Sequence, residues 1–255
     1  MVFYSSGTTE GNHSKHHMDL SAWQLYDMSL SQGFYKFVWE KLDIIALMPS
    51  PVEAPHSSLS YMLGQLCAKE FHWGNPEKLG SRLSEIAAVG KPICLFGTAF
   101  AFIELFDSTE RNWTFPEGSK VVETGGFKGR TREVSKDELY AMFETRLGVP
   151  LGNCIAEYGM SEMSSQFYDV GRTGFQAPHW LRWRIIDPIT LDDAEKGLLR
   201  VYDLANWNSV AVIQTQDMVK RLPENRFELL GRASDAELRG CSLMVEDRWL
   251  GKSSQ

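Results

Sequence analysis

Near its start the chain reads Tyr4-Ser5-Ser6-Gly7-Thr8-Thr9-Glu10-Gly11, a short stretch of hydroxyls and glycines. Glycines let the backbone turn its N–H groups inward as an anion cradle, and the hydroxyls of Ser5, Ser6, Thr8 and Thr9 add donors around it. Lys15 follows within reach of the same anion. Such a loop suits the phosphates of a nucleotide; a plain turn is the other reading. The segment does not match the G-x-x-x-x-G-K-[ST] loop of P-loop nucleotidases. Its place is unusual, because a phosphate loop hangs from a strand and almost no chain precedes this one.

A second group is Glu157-Tyr158-Gly159-Met160-Ser161-Glu162, directly after an expected strand, where a parallel sheet holds ligands. Tyr158 offers a flat face for a purine, Ser161 a donor to a phosphate, and Glu162 a hard oxygen ligand for Mg²⁺. A strand-to-loop turn with a surface carboxylate is the plainer alternative. Thr215-Gln216-Asp217 ends a later strand with a carboxylate placed to accept both ribose hydroxyls, and Gly231-Arg232-Ala233-Ser234-Asp235 sets a cation beside a flexible glycine. Cys241 lies between Gly240 and Ser242, with Arg239 nearby to favour its thiolate. A thiolate can take an acyl group as a thioester; a small buried residue is the alternative. Cys67, Cys94 and Cys154 fall in expected core elements and read as packing. His13, His16 and His17 have no carboxylate or cysteine at ligand spacing, and read as donors near a phosphate or as solvated residues. Trp180, Trp183, Trp207 and Trp249 read as core and rim, and Phe96, Phe100 and Phe102 are the aromatics available to line an acyl tunnel.

These groups need a scaffold. Apolar residues Leu20, Trp23, Tyr26, Leu30, Phe34 and Phe37 recur at helical spacing, as one helix or a pair broken at Gly33. Strands are expected over residues 44–48, 93–96, 120–123 and 153–156. Helices are expected over 57–71, 76–89 and 99–106, and over 135–147, where Ser135 and Glu138 form a capping box and Gly148 the stop. This alternation argues for an α/β fold, a mostly parallel sheet covered by helices on both faces. Strands over 166–170, 181–186, 197–204, 210–215 and 226–230 then read as an antiparallel sheet or partial barrel. The expected division is an α/β nucleotide-binding subdomain over 1–165, a β-rich subdomain over 166–230, and a hinge and tail over 231–255 that carries Cys241.

Composition narrows the function. The 255 residues are 43% hydrophobic and 23% charged, with a net charge of −7. That balance suits a globular protein and argues against a nucleic-acid surface. No apolar run is long enough for a membrane span. Scattered cysteines without a C-x-x-C pair, and no signal pattern, make a reduced cytoplasmic compartment the expectation.

The ordered set SSGTT, Thr124-Gly125-Gly126-Phe127-Lys128-Gly129-Arg130, YGMSE, TQD and GR-x-x-D resembles the adenylate-forming enzyme superfamily, which includes acyl-CoA synthetases and phenylacetate-CoA ligases. With Met48-Pro49-Ser50, Ser57-Ser58-Leu59-Ser60-Tyr61-Met62 and Arg239-Gly240-Cys241-Ser242, the chain is most similar to the acyl-protein synthetases (long-chain-fatty-acid–protein ligases) of bacterial luminescence operons. The resemblance spans nearly the whole chain. It implies that Ser5, Ser6, Gly7, Thr8 and Thr9 wrap the phosphates of ATP and that Gly125 and Gly126 lie against adenine. It further implies that Tyr158, with Gly159, stacks on the base, Ser161 touches the α-phosphate, Glu162 holds Mg²⁺, and Asp217 binds ribose assisted by Arg232. The implied activity is formation of acyl-AMP from a fatty or other carboxylic acid. Transfer to Cys241 and then to an acceptor protein such as a fatty-acid reductase would follow. An aryl- or acyl-CoA ligase, or a non-catalytic homologue that binds nucleotide or a partner, are the alternatives. Glu10 stands where family loops carry glycine, with Gly11 one residue further on. Against the family the chain is expected to be N-terminally short and, like the acyl-protein synthetases, to end soon after GR-x-x-D.

Overall fold

The structure, a computed structural model, describes residues 1–4, 15–38, 42–125 and 134–233. Two short strands come first, β1 (Val2–Tyr4) and β2 (Lys15–His17), paired antiparallel. The periodic segment beyond them is one helix, α1 (Leu20–Val38), unbroken at Gly33. Gly33 is buried in that helix, and a Cβ there would lie 3.9 Å from the Tyr168 ring. The chain continues as β3 (Asp43–Leu47), α2 (Ser58–Gln65), β4 (Glu70–Phe71), α3 (Pro76–Val89), β5 (Ile93–Thr98), α4 (Ala99–Asp107), β6 (Lys120–Thr124), α5 (Lys136–Leu147), β7 (Cys154–Tyr158) and β8 (Phe167–Val170). Helix α2 ends well before residue 71. Cys67 there takes φ 58°, which the helix cannot continue, and the chain turns into β4.

Strands β4-β3-β5-β6-β7-β8 form one sheet in that order, parallel except for the antiparallel edge pair β7–β8. Side chains alternate across it. Ile44, Ala46, Cys94, Phe96, Val122 and Ile155 meet α1 and α2 on one face. Ile45, Leu47, Leu95, Val121 and Cys154 meet α3, α4 and α5 on the other. The expected packing role holds for the buried Cys94 and Cys154, but Cys67 is exposed. Helix ends follow the local chemistry: Asn75 caps α3 with Pro76 in its first turn, and Gly90 at φ 75° closes it. The Ser135–Glu138 capping box starts α5, and Gly148 ends it.

A second sheet follows, built from β9 (Leu181–Ile186), β10 (Lys196–Asp203), β11 (Val212–Leu222) and β12 (Arg226–Arg232), antiparallel in the order β12-β11-β10-β9. Its inner face, with Leu181, Trp183, Ile185, Leu199, Val201, Val219 and Phe227, packs on Phe167 and Phe175. Residues 167–170, read from sequence with this later sheet, are the edge strand of the first. Gly231 and Arg232, read as hinge, lie in β12. Among the described residues no helix is long and apolar enough to cross a membrane.

Candidate active site

A cleft of about 1650 Å³ opens at the carboxyl ends of β6 and β7, facing β11 and β12. That exceeds the roughly 300–1,000 Å³ of a pocket for one small ligand. Tyr4, Gly125, Tyr158, Gly159, Ser161, Glu162, Asp217 and Arg232 all border it. Ser5, Ser6, Gly7, Thr8, Thr9, Gly126 and Cys241 lie outside the described residues.

Three expected residues meet directly. Tyr158, at the end of β7, donates its hydroxyl to Asp217 Oδ2 at 2.8 Å. Asp217 Oδ1 lies 3.3 Å from Arg232 Nε across the β11–β12 pair. Arg232 also donates to Gln216 Oε1 at 3.0 Å, and the Asp217 N–H donates to Thr215 Oγ1 at 3.1 Å. Burial, reinforced by the Asp217 charge, pushes the Tyr158 phenol well above its ordinary range, so it stays a donor. The three side chains tie the two sheets together at the cleft.

The β1–β2 pair places the residues that flank the expected phosphate loop, which itself lies outside the described residues. Both strands are too short for periodicity to reveal. Phe3 is fully buried against the rings of Tyr26 and Tyr61, at centroid distances of 5.7 and 5.5 Å. The Tyr4 ring stacks on His56 at 4.3 Å and its carbonyl accepts from Ser161 Oγ at 3.2 Å. Tyr4 therefore stands beside Ser161. Lys15 is exposed, its Nζ 5.7 Å from the Tyr4 ring centroid. His16 is buried with Nε2 unpartnered, and burial lowers its basicity while Glu162 opposes the shift.

A network that sequence reasoning missed supports the Ser161–Glu162 loop. Asp203, fully buried at the end of β10, accepts from the Ser164 N–H at 2.9 Å and the Ser165 hydroxyl at 2.7 Å. Asn206 Nδ2 donates to the Glu162 carbonyl at 2.7 Å. Trp180 Nε1 reaches Ser165 and Ser29 at 3.0 and 2.9 Å, locking the loop to α1. The available signal was Asp203 capping a turn two residues on, a pattern of Asx chemistry.

Two buried carboxylates were also overlooked. Glu123 accepts from Lys136 and, at 3.0 Å, from the Tyr140 hydroxyl, while its Oε2 has no partner. Glu157 accepts from Thr124. Burial pushes Glu157 up to about 7, a shift that the Thr124 hydrogen bond opposes and the nearby Glu123 charge reinforces. Buried acids beneath a cleft are the usual signature of a site. Phe96, Phe100 and Phe102 do not border the cleft; Phe96 and Phe102 are wholly buried in the sheet's own cores. Trp183 is core and Trp207 is exposed.

Among the described residues no three His, Cys, Asp or Glu side chains cluster as a metal site. Mg²⁺ does not need one, since it takes one or two carboxylates plus substrate phosphates; Glu162 lies at the cleft edge.

The model of the family described as acyl-protein synthetase, LuxE, matches residues 76–249. No curated protein matches the chain significantly. Among solved structures, ATP-bound MatB from Rhodopseudomonas palustris is similar with a TM-score of 0.63 and 15% identity, covering 91% of this chain and 47% of that one. O-succinylbenzoate coenzyme A synthetase (MenE) from Bacillus subtilis, in complex with ATP and magnesium, gives 0.59 at 16% identity over 91% and 49%. The amide bond synthetase McbA from Marinactinospora thermotolerans gives 0.62 at 14% over 92% and 49%. The chain thus has the fold of adenylate-forming enzymes and spans about half the length of the solved structures it matches.

Proposed function

Since the chain belongs to the acyl-protein synthetase LuxE family, we propose that it uses ATP to activate a carboxylic acid as acyl-AMP and passes the acyl group to a protein thiol. The observation that carries this reading is the junction of Tyr158, Asp217 and Arg232 across the cleft, beside the Ser161–Glu162 loop. Tyr158 presents its ring to the base, and Asp217 is the acceptor for the ribose hydroxyls. Arg232 orients that carboxylate. Ser161 donates to the α-phosphate, Gly125 and Gly126 lie against adenine, and Ser5, Ser6, Gly7, Thr8, Thr9 and Lys15 surround the phosphates.

The acid's carboxylate oxygen attacks the α-phosphorus. A bond forms between them, and the bond to the bridging oxygen breaks, releasing pyrophosphate with the electron pair. Donors already fixed in place stabilise the charge on the phosphoryl oxygens without reorganising. Glu162 is the residue to hold Mg²⁺, which when bound neutralises charge on the phosphates. The Cys241 thiolate then attacks the acyl carbonyl and AMP leaves, giving a thioester that an acceptor protein such as a fatty-acid reductase consumes.

ATP–pyrophosphate exchange dependent on a carboxylic acid tests the first half. A hydroxylamine-labile acyl label that disappears in Cys241→Ser tests the second; label retained in that variant removes Cys241 from the chemistry. Coenzyme A is the second candidate acceptor, favoured by the likeness to a coenzyme A synthetase, and thioester formation on CoA that survives Cys241→Ser would select it.

A further inference from the structure

One row of side chains below Tyr158, the six-stranded sheet offers the cleft a polar floor. Successive side chains of a strand point to opposite faces, so Ala156 and Tyr158 of β7 share one face and Glu157 takes the other. The register sets Glu123 of β6 and Asp169 of β8 on either side of Ala156. All three border the cleft, as do Gly125, just beyond β6, and Lys136 of α5. Ala156 contributes only a methyl group, so the floor dips between the two carboxylates.

Those carboxylates are not equivalent. Glu123 is 1% exposed, and its Oε1 accepts from both Lys136 and Tyr140. Asp169 is only half-buried, and its Oδ1 accepts from the Gly174 N–H at 2.9 Å. Burial raises the Asp169 carboxyl, while the Gly174 and Thr173 N–H groups and the charges of Arg226 and Lys136 oppose the rise. A carboxylate offers about four lone-pair sites, so two backbone donors fix Asp169 in place and leave it able to accept a further hydrogen bond from the cleft.

The Tyr158 hydroxyl meets Asp217, the group assigned above to the ribose. A base on the Tyr158 ring then extends from that end back toward the strand, between the ring and Gly125. Its edge remote from the sugar comes to lie over Ala156, beside Asp169. In adenine that edge carries the exocyclic amino group, a donor; guanine has an oxygen at the same position, an acceptor facing an acceptor.

Building on the ATP reading, we infer that Asp169 is a specificity determinant for the base: its carboxylate accepts from the exocyclic amino group of adenine, in the space that Ala156 leaves open.

The test is calorimetric binding, with Mg²⁺ present, of ATP, GTP and purine riboside triphosphate, which is ATP without the amino group, to the full chain. ATP should bind about ten-fold or more tightly than the purine analogue, the loss expected for one hydrogen bond to a charged group. Asp169→Ala should bring ATP and the analogue to within about two-fold of each other, whatever it does to their common affinity. A merely structural Asp169 would weaken both nucleotides alike and preserve their ratio, and that result would overturn the inference. So would equal binding of ATP and the analogue, or of ATP and GTP, by the wild-type chain, whether or not the variant folds; the ATP reading would survive. Binding of none of the three would instead remove the ATP reading, and this inference with it.

Discussion

The two sides of the β7 end differ in how their polar groups are satisfied. On the Tyr158 side a phenol, a carboxylate and a guanidinium bind one another across two sheets. On the Glu157 side a carboxyl shares one hydroxyl with Thr124 and faces an amide oxygen that has no partner. The first side is pre-organised: a ligand arriving there meets groups already oriented, as an invariant cosubstrate requires. The second leaves a buried oxygen without a partner. A single residue's step along the backbone separates the two environments.

The largest effect should come from the loop both sides share. Glu162→Ala should lower acid-dependent exchange by about 10²-fold or more, because a phosphate-bound cation contributes several kcal/mol to charge stabilisation. Wild-type exchange in that variant would detach the loop from the chemistry. Next is Lys136→Met, which strips the cation from the buried Glu123. Removing one partner of a buried pair costs about 3–5 kcal/mol; because Lys136 is itself partly exposed, about 3 kcal/mol in urea unfolding is expected.

A smaller change distinguishes the two sides. Tyr158→Phe loses the hydrogen bond to Asp217, worth about 1.5–3 kcal/mol for a carboxylate acceptor. It should raise the KM for ATP about ten-fold and leave the KM for the acid unchanged. A shift in the acid KM instead would show that the sides are not separate. The Glu157 side is read by a pH dependence. Glu157 has its carboxyl raised from an ordinary 4.5 to about 7 by burial, so the folded state holds this proton more tightly than the unfolded chain does. Stability should therefore decline as pH rises between those values and level off above them. Glu157→Gln should remove that part of the decline, so its stability relative to wild type rises through the same window; parallel curves would place an ionised Glu157 in the fold throughout.

Much of the scaffold was legible from residues alone. Helix α3 announced itself by Asn75, Pro76 and Gly90, and α5 by its capping box and Gly148. In both, short-range chemistry decides the ends. The β1–β2 hairpin escaped because three-residue strands have no period to read. Helix α2 stopped early because Cys67 adopts a left-handed turn that its residue type does not advertise. Strand β8 was legible as a strand, but its partner was not, since pairing with β7 depends on tertiary contacts. At the site, Tyr158, Asp217 and Arg232 stood out by type and spacing. Glu157 and Glu123 did not, because a carboxylate becomes informative only once its burial is known. The Asp203–Asn206 support was hidden for the same reason: its members gain meaning from the loop they hold, far away in sequence.

The central claim is that the cleft directs a carboxylate to the α-phosphorus of ATP. Trapping the activated acid with hydroxylamine, in the presence of either of two methylene-bridged ATP analogues, tests it most directly. Hydroxamate should form with the β,γ-methylene analogue, whose α–β bridge can still break, and be absent with the α,β-methylene analogue. Hydroxamate from the α,β-methylene analogue, with release of inorganic phosphate, would place the attack on the γ-phosphorus and contradict the account.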